Sequence, residues 1–374
     1  MDSNRKEIRL FYLSFSIFQF ANSIVQIFIP LYFYNKGFSL FSILLFFAVT
    51  QAGRLVFLPI AAWFSSSYGA KRVMSVSFIF SVIYYIFLGK VESISGIFYA
   101  SAFIFGAVQA LQWLPFLVHL SKISPNENKG KIYSKLNMYT TIANALGPVL
   151  GGFIISSCGF KSVFYVVIAL IIPAIYFLLI TPEISKIRKI KFGLVSVKKI
   201  YPDMIANGGF NFQVYLSNII WPIFIFVVLP QYNTIGFIQT VSLFMSLITL
   251  QLIGKWTDRS RRKKVLFWGS AFNSTASFLR IFANSFSSIF ILNSASIFTG
   301  TLQAIPWNVK LQEHMEKEPR TEYVAIFEIG GAFLAFSGLL VFAAISIFLP
   351  FRDVLFYGII ASSLSGLFVN LIRE

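Results

Sequence analysis

Charge, cysteine and histidine are all scarce in this sequence. Only 12% of its 374 residues are Asp, Glu, Lys or Arg, against about 25% in soluble globular chains. A soluble protein of this length with so little polar surface would not stay dissolved, so the apolar side chains must face something other than water. The single cysteine, Cys158, excludes a disulfide within a monomer and a multi-cysteine metal site; in an apolar run it reads as packing. Two histidines, His119 and His314, and the lack of paired carboxylates at helical spacing within the apolar runs speak against a metal centre or an acid–base enzyme. No metal, no cofactor and no catalytic residue are therefore expected. His119, beside Lys122 at the end of an apolar run, reads as an interfacial residue. A phosphate-binding G-x-x-x-x-G-K-[ST] loop is also missing, and with it any sign of ATP hydrolysis by the chain.

What is present is hydrophobicity: 57% of residues are apolar, 18% are aromatic, and mean hydropathy is +0.75. The 45 Phe residues read as lipid-facing and packing surface. A net charge of +17 would suit nucleic acid if Lys and Arg gathered on one soluble face or arm. Here they sit in short islands between long apolar runs, so nucleic acid is not expected as a partner and the lipid bilayer is. A spanning helix needs about 20 mostly apolar residues. Twelve stretches qualify: 9–33, 40–64, 73–89, 95–119, 136–158, 162–181, 206–230, 234–254, 265–284, 286–306, 322–349 and 354–372. Runs this continuous select helices, because barrel strands alternate over about ten residues. The segment MDSNRKEIR leads into the first stretch without a small-residue cleavage site, so that stretch reads as a retained helix.

Orientation follows from the basic residues. With the N-terminus cytoplasmic, Lys36, Lys90, Lys161 and Arg352 fall on the far side and Arg54 and Arg280 within helices. Every other Lys and Arg then falls on the cytoplasmic side, as the positive-inside rule requires. The expectation is an all-α polytopic membrane protein with twelve transmembrane helices and both termini cytoplasmic. The longest polar interval divides the helices six and six. It gives an N-terminal bundle over 1–182, a basic cytoplasmic linker over 183–203, and a C-terminal bundle over 204–374. The halves carry a weak repeat. Gly106-Ala-Val-Gln109-Ala110-Leu-Gln112-Trp113 matches Gly300-Thr-Leu-Gln303-Ala304-Ile-Pro-Trp307, and Pro30-Leu-Tyr32 matches Pro230-Gln-Tyr232, each followed by Gly-Phe. Such repeats are a common plan of secondary transporters, which bind substrate near mid-membrane between the repeats.

Three motifs carry a family resemblance. After the eighth stretch the sequence reads Gly254-Lys-Trp-Thr-Asp258-Arg259-Ser-Arg261-Arg262-Lys263-Lys264. This resembles the G-x-x-x-D-[RK]-x-G-R-[RK] loop of the major facilitator superfamily, with Arg261 in place of the second Gly. The loop after the second stretch keeps Gly69, Lys71 and Arg72 but has Ser66 at the acidic position. The fifth stretch contains Gly147-Pro148-Val-Leu-Gly151-Gly152, similar to the G-P-x-x-G-G core of the family's antiporter motif, with Ala143 where a Gly is usual. The resemblance implies a transporter of two six-helix bundles working by alternating access in the plasma (cytoplasmic) membrane as a monomer. Its partners would be a small-molecule substrate and a coupling proton or cation. The small residues and Pro148 imply close helix packing and a bend. By analogy the motif favours efflux or antiport. Uptake of a sugar, nucleoside or other metabolite is the alternative. A membrane-embedded lipid-modifying enzyme and a non-transporting receptor or assembly factor of the same fold are the readings from other classes.

Candidate functional residues are the polar ones within the apolar runs. Intramembrane charges are costly, so each is a functional candidate. Arg280, near a helix end, is expected to snorkel outward and be structural. Arg54 lies ten residues from the cytoplasmic end of its helix and Glu328 six from the start of its own, depths of about 15 and 9 Å. In the resembled fold the second and eleventh helices face each other across the halves, which implies an Arg54–Glu328 gating pair. The rival role for Glu328 is proton carrier. Asp258 and Arg259 are expected to latch helices at the cytoplasmic face. Gln19, Asn22 and Gln26; Gln109, Gln112 and Trp113; Asn137, Thr141 and Asn144; Asn211, Asn218 and Trp221; and Gln303 and Trp307 each fall on single helical faces. In the resembled fold the first, fourth, seventh and tenth helices line the cavity. An amide-and-Trp lining suits a neutral or amphiphilic molecule; interhelical hydrogen bonding is the plainer role. Glu313, Glu316 and Glu318, among Lys310, Lys317 and Arg320, read as a solvated connector.

Overall fold

A computed structural model of the protein describes the backbone of residues 2–123, 129–181, 190, 192–259 and 262–373, and the side chains of 10–119, 140–181, 190, 193–247 and 263–373. Among the described residues the regular secondary structure is entirely helical. The elements are α1 (Asp2–Val25), α2 (Ile29–Asn35), α3 (Leu40–Tyr68), α4 (Ala70–Gly89), α5 (Gly96–Ile123), α6 (Lys129–Leu179), α7 (Val197–Val228), α8 (Tyr232–Arg259), α9 (Arg262–Leu279), α10 (Phe286–Lys317), α11 (Arg320–Ser346) and α12 (Phe351–Ser365). Nine spans among the described residues are long and apolar enough to cross a membrane.

Breaks in these helices have local causes. The first apolar run is interrupted by a 3-10 turn at Gln26–Phe28, so it folds as α1 plus α2. Pro30 follows at the start of α2, where a residue without an N–H leaves no helical donor unsatisfied. The fifth and sixth runs form two helices that meet at a kink and together make up α6. Its apolar part, Thr140–Leu179, has 40 residues, about 60 Å of helix and twice a bilayer core of about 30 Å. It turns at Gly159, where φ is 79° and ψ 173°, a conformation open to a residue without Cβ. The start of α3 is capped by Ser39, whose hydroxyl accepts from Ser42 N at 3.2 Å; α10 starts with a capping box between Ser285 and Ser288. The seventh helix begins at Val197, so the last residues of the expected linker are helical. The ninth and twelfth runs end as 3-10 turns, Arg280–Phe282 and Gly366–Leu371.

Helices α1, α3, α4, α5 and α6 pack among themselves, as do α7 to α12; α3 against α11 and α6 against α8 join the two groups. Small residues permit close approach. A Cβ on Gly53 would lie 2.4 Å from Phe103 O, and one on Gly106 would lie 2.1 Å from Thr50 O, so α3 and α5 meet backbone to backbone. Aromatic stacks such as Phe18–Phe78 (3.8 Å) and Phe15–Phe116 (4.3 Å) fill the first group. Large apolar side chains also point outward: Phe348 is 84% exposed and Tyr165 70%. That surface is costly in water and stable in lipid.

Candidate functional site

The most unusual chemistry lies where α3, α7 and α11 meet. Arg54 on α3 is 5% exposed and Glu328 on α11 is 3% exposed. They form a buried ion pair through Nη2 and Oε2. Arg54 Nη1 also reaches Asn211 Oδ1 on α7 at 3.5 Å. One turn before Asn211, Asn207 donates Nδ2 to Phe327 O at 3.1 Å. Gly331 makes this possible, because a Cβ there would fall 2.2 Å from Asn207 Nδ2 and 2.9 Å from Asn211 Nδ2. Gln51, one turn from Arg54, is fully buried. Neither atom of its amide has a partner among the described residues, nor do Arg54 Nε and Asn211 Nδ2. Buried polar groups are normally satisfied, so this seam holds more hydrogen-bonding capacity than its own packing consumes. Gln51 was not among the sequence candidates; its i, i+3 spacing from Arg54 was the available signal.

The uncharged candidates separate into groups. Gln109 on α5 accepts from Tyr215 OH on α7, a further bond between the two helix groups. Gln112 donates to Gln19 Oε1 at 3.3 Å. Asn22 accepts from Tyr85 OH at 2.7 Å and donates to Phe18 O at 2.8 Å. Trp113 is 40% exposed and stacks on Phe116. Thr141 and Asn144 are half-buried, whereas Gln26 and Asn218 are exposed; Asn137 lies outside the described side chains. Gln303, the counterpart of Gln109 in the repeat, turns elsewhere. It accepts from Asn273 at 2.5 Å and donates to Gln213 Oε1 and Gly366 O, each at 3.1 Å. Trp307 is 3% exposed, between Phe210 and Phe327. Trp221 is buried, with Nε1 donating to Asn293 Oδ1 at 2.9 Å.

The glycines of the fifth stretch seat α6 against two neighbours. A Cβ on Gly147 or Gly151 would fall 1.9 Å from Ser23 Oγ or 1.8 Å from Ile24 O, both on α1. One on Gly152 would fall 2.5 Å from Tyr232 O, and one on Gly236 would fall 2.2 Å from Pro148 O. Val149 N donates to Thr240 Oγ1 on α8 at 3.1 Å. Rings of Phe28, Phe160 and Phe226 surround Tyr232. Asp258 and Arg259, the expected latch, lie outside the described side chains.

Some expectations are corrected. Cys158, read as packing in an apolar run, is exposed. Arg280 does not snorkel: it is 6% exposed, donates Nη1 to Ser217 Oγ at 3.0 Å and lies 4.6 Å from the Trp221 ring centroid. The 3-10 turn that ends the ninth run carries its side chain back onto α7. His119 is 1% exposed and packs on Phe11 at 4.6 Å between ring centroids, so it is a core residue.

One cluster escaped sequence reasoning. Asp203, fully buried on α7, accepts from Tyr323 OH (3.0 Å) and from Arg373 N, Nε and Nη2 (2.9, 2.8 and 2.7 Å), with His314 Nδ1 at 3.2 Å. Burial pulls the Arg373 guanidinium down, but its hydrogen bond and charge contact with Asp203 outweigh this and hold it above its ordinary value. Glu318 pairs with Lys199 at 2.6 Å, and Lys310 is 9% exposed and lies 3.9 Å from Glu313. The supposed connector is thus partly helical and built into the fold. Asp203 and Arg373 are 170 residues apart, too far for any local pattern to join them.

Known proteins place this arrangement. The overall structure is similar to a D-xylose–proton symporter (TM-score 0.72, 13% identity, 98% of this chain and 96% of that one). It is also similar to the nucleoside transporter NupG (0.70, 15%, 98% and 100%) and to the human organic anion transporter MFSD10 (0.70, 11%, 98% and 99%). No curated protein matches the sequence. The family model of the Major Facilitator Superfamily matches residues 11–232, more than half of the chain and a stretch that includes Arg54, Gln109 and the glycines of α6. The chain belongs to the Major Facilitator Superfamily of membrane transporters.

Proposed function

We propose that the protein is a secondary transporter that carries a small neutral or amphiphilic molecule across the membrane by alternating access. The observation that carries this reading is the buried Arg54–Glu328 pair, supported by Asn211, at the seam between the two helix groups. A buried ion pair is poor glue, but it discriminates strongly between a formed and a separated seam. That is the property a gate requires. The chain crosses the membrane twelve times with both termini cytoplasmic, α1 with α2 making one crossing and α6 two. The halves are 1–182 and 204–374, joined by the basic linker 183–203. Gln19, Asn22, Gln109, Gln112 and Trp113 face the cargo from the first half. Asn211 and Tyr215 face it from the second. Gln303, Trp307 and Trp221 position the helices behind them. The amide groups select a cargo with hydroxyl or carbonyl oxygens, and the aromatic groups accept an apolar body. Gly147, Pro148, Gly151 and Gly152 close one end against α1 and α8, and Asp258 and Arg259 latch the cytoplasmic face. The antiporter-like motif favours export from the cytoplasm across the plasma membrane by a monomer.

Flux in sealed proteoliposomes, with labelled sugars, nucleosides and lipophilic dyes and with or without a pH gradient, tests this reading. Movement of at least one compound, abolished in Glu328→Gln, is expected. Transport that follows the pH gradient would assign Glu328 the role of proton carrier. Uptake of a sugar or nucleoside against its gradient would replace export by the metabolite reading. Binding without movement across the panel would refute transport.

A further inference from the structure

We propose that Arg280 is the cation of a binding site for a small carboxylate, at the turn between α9 and α10 and separate from the Arg54–Glu328 seam. A guanidinium carries five N–H donors and stays charged. Arg280 is 6% exposed, and among the described residues its one side-chain hydrogen bond is Nη1 to Ser217 Oγ at 3.0 Å. Its Cζ lies over the Trp221 ring, 4.6 Å from the ring centroid. An aromatic ring attracts the cation through its face and accepts no carboxylate-type hydrogen bond from it. Nε is buried without a partner among the described residues, and no hydrogen bond from Nη2 to a described residue is seen.

Among the described residues no ion pair joins Arg280 to an acid. Asp203 holds Arg373, Glu328 holds Arg54 and Glu318 holds Lys199, while Glu92 and Asp353 are exposed. A desolvated cation with no counter-charge is among the costliest arrangements in a folded chain. In the proposed site a ligand supplies that compensating charge, because no described residue is seen to supply it. The free edge is the two-donor fork that matches a carboxylate's two oxygens. Phe282, Asn284 and Ser285, which follow Arg280, are exposed, so the turn that carries it lies at the protein surface. Trp221 is itself fixed by Asn293, which donates to Ser242 Oγ at 2.9 Å, so the stacking surface is rigid before any ligand arrives.

The test uses the purified full-length protein and two probes, at constant sodium and ionic strength with a bulky sulfonate as the reference anion. Acetate should raise the thermal unfolding midpoint of the unsubstituted protein by a few degrees and saturate. The rise should vanish in Arg280→Gln and weaken in Arg280→Lys, which keeps the charge but loses the fork. Trichloroacetate, a carboxylate that quenches indole, should show a saturable component of about one sixth of the emission, since Trp221 is one of six Trp. Acetate should compete with that component, and Trp221→Phe should remove it. The second measurement decides even where Arg280→Gln fails to fold. A flat acetate titration, an equal rise in Arg280→Gln, or purely collisional quenching unchanged in Trp221→Phe would each overturn the proposal. So would a midpoint rise obtained only with added phosphatidylglycerol, which would assign Arg280 to a lipid headgroup.

Discussion

Glu328→Gln removes the acid of the buried pair while keeping its shape. Arg54 is 5% exposed, so the variant leaves a desolvated guanidinium whose strongest partner has gone. Asn211 at 3.5 Å is neutral and distant and cannot replace it. Breaking a buried pair from one side costs about 3–5 kcal/mol, which shifts a two-state population on the order of a hundred- to several-thousand-fold. Arg54→Gln costs less, because a buried carboxylate can neutralise itself by binding a proton and a guanidinium cannot. That variant should therefore recover as pH is lowered, and Glu328→Gln should not. The double variant Arg54→Gln/Glu328→Gln carries no buried charge and should lie nearest the unsubstituted protein. Thermal unfolding of the four proteins in one detergent gives the cycle. The expected order of midpoints is Glu328→Gln lowest, Arg54→Gln intermediate and the double variant highest of the three. Effects of the two single changes that add to within about 0.5 kcal/mol in the double variant would refute the claim that these residues act as a pair.

Four other outcomes are expected. Gly236→Ala places a methyl 2.2 Å from Pro148 O, whereas Gly96 has nothing within 4 Å; unfolding should show a loss of about 1–3 kcal/mol for the first and almost none for Gly96→Ala. Arg373→Ala leaves Asp203 buried with Tyr323 and His314 and should cost about 2–3 kcal/mol, read as a lower unfolding midpoint; an unchanged midpoint would remove the C-terminal anchor. Tyr215→Phe removes the bond to Gln109 that joins the two helix groups, and should cost about 1 kcal/mol in unfolding and change cargo affinity in the flux assay. Cys158, exposed beside Lys36 and Lys161, should react with a membrane-impermeant maleimide in intact cells; labelling only after permeabilisation would invert the proposed orientation.

Membrane residence and helical class were legible in the sequence because both follow from composition and run length. Unpaired backbone in hydrocarbon is so unfavourable that an apolar run of this length has one outcome. The family was legible in Gly147-Pro148-Val-Leu-Gly151-Gly152 and in the loop beginning at Gly254. Arg54 and Glu328 could be singled out because intramembrane charge is rare. Side-chain direction was not legible where helices depart from regular geometry. The turn after Leu279 sends Arg280 inward although its position suggests snorkelling. Nor could helical spacing say which neighbour an amide meets: Gln109 and Gln303 share a repeat position, yet one bonds across the seam to Tyr215 and the other within the second group to Asn273 and Gln213. The Asp203–Arg373 cluster belongs to the tertiary structure alone. Periodicity reports which residues share a face, and only the packing of helices decides which faces meet.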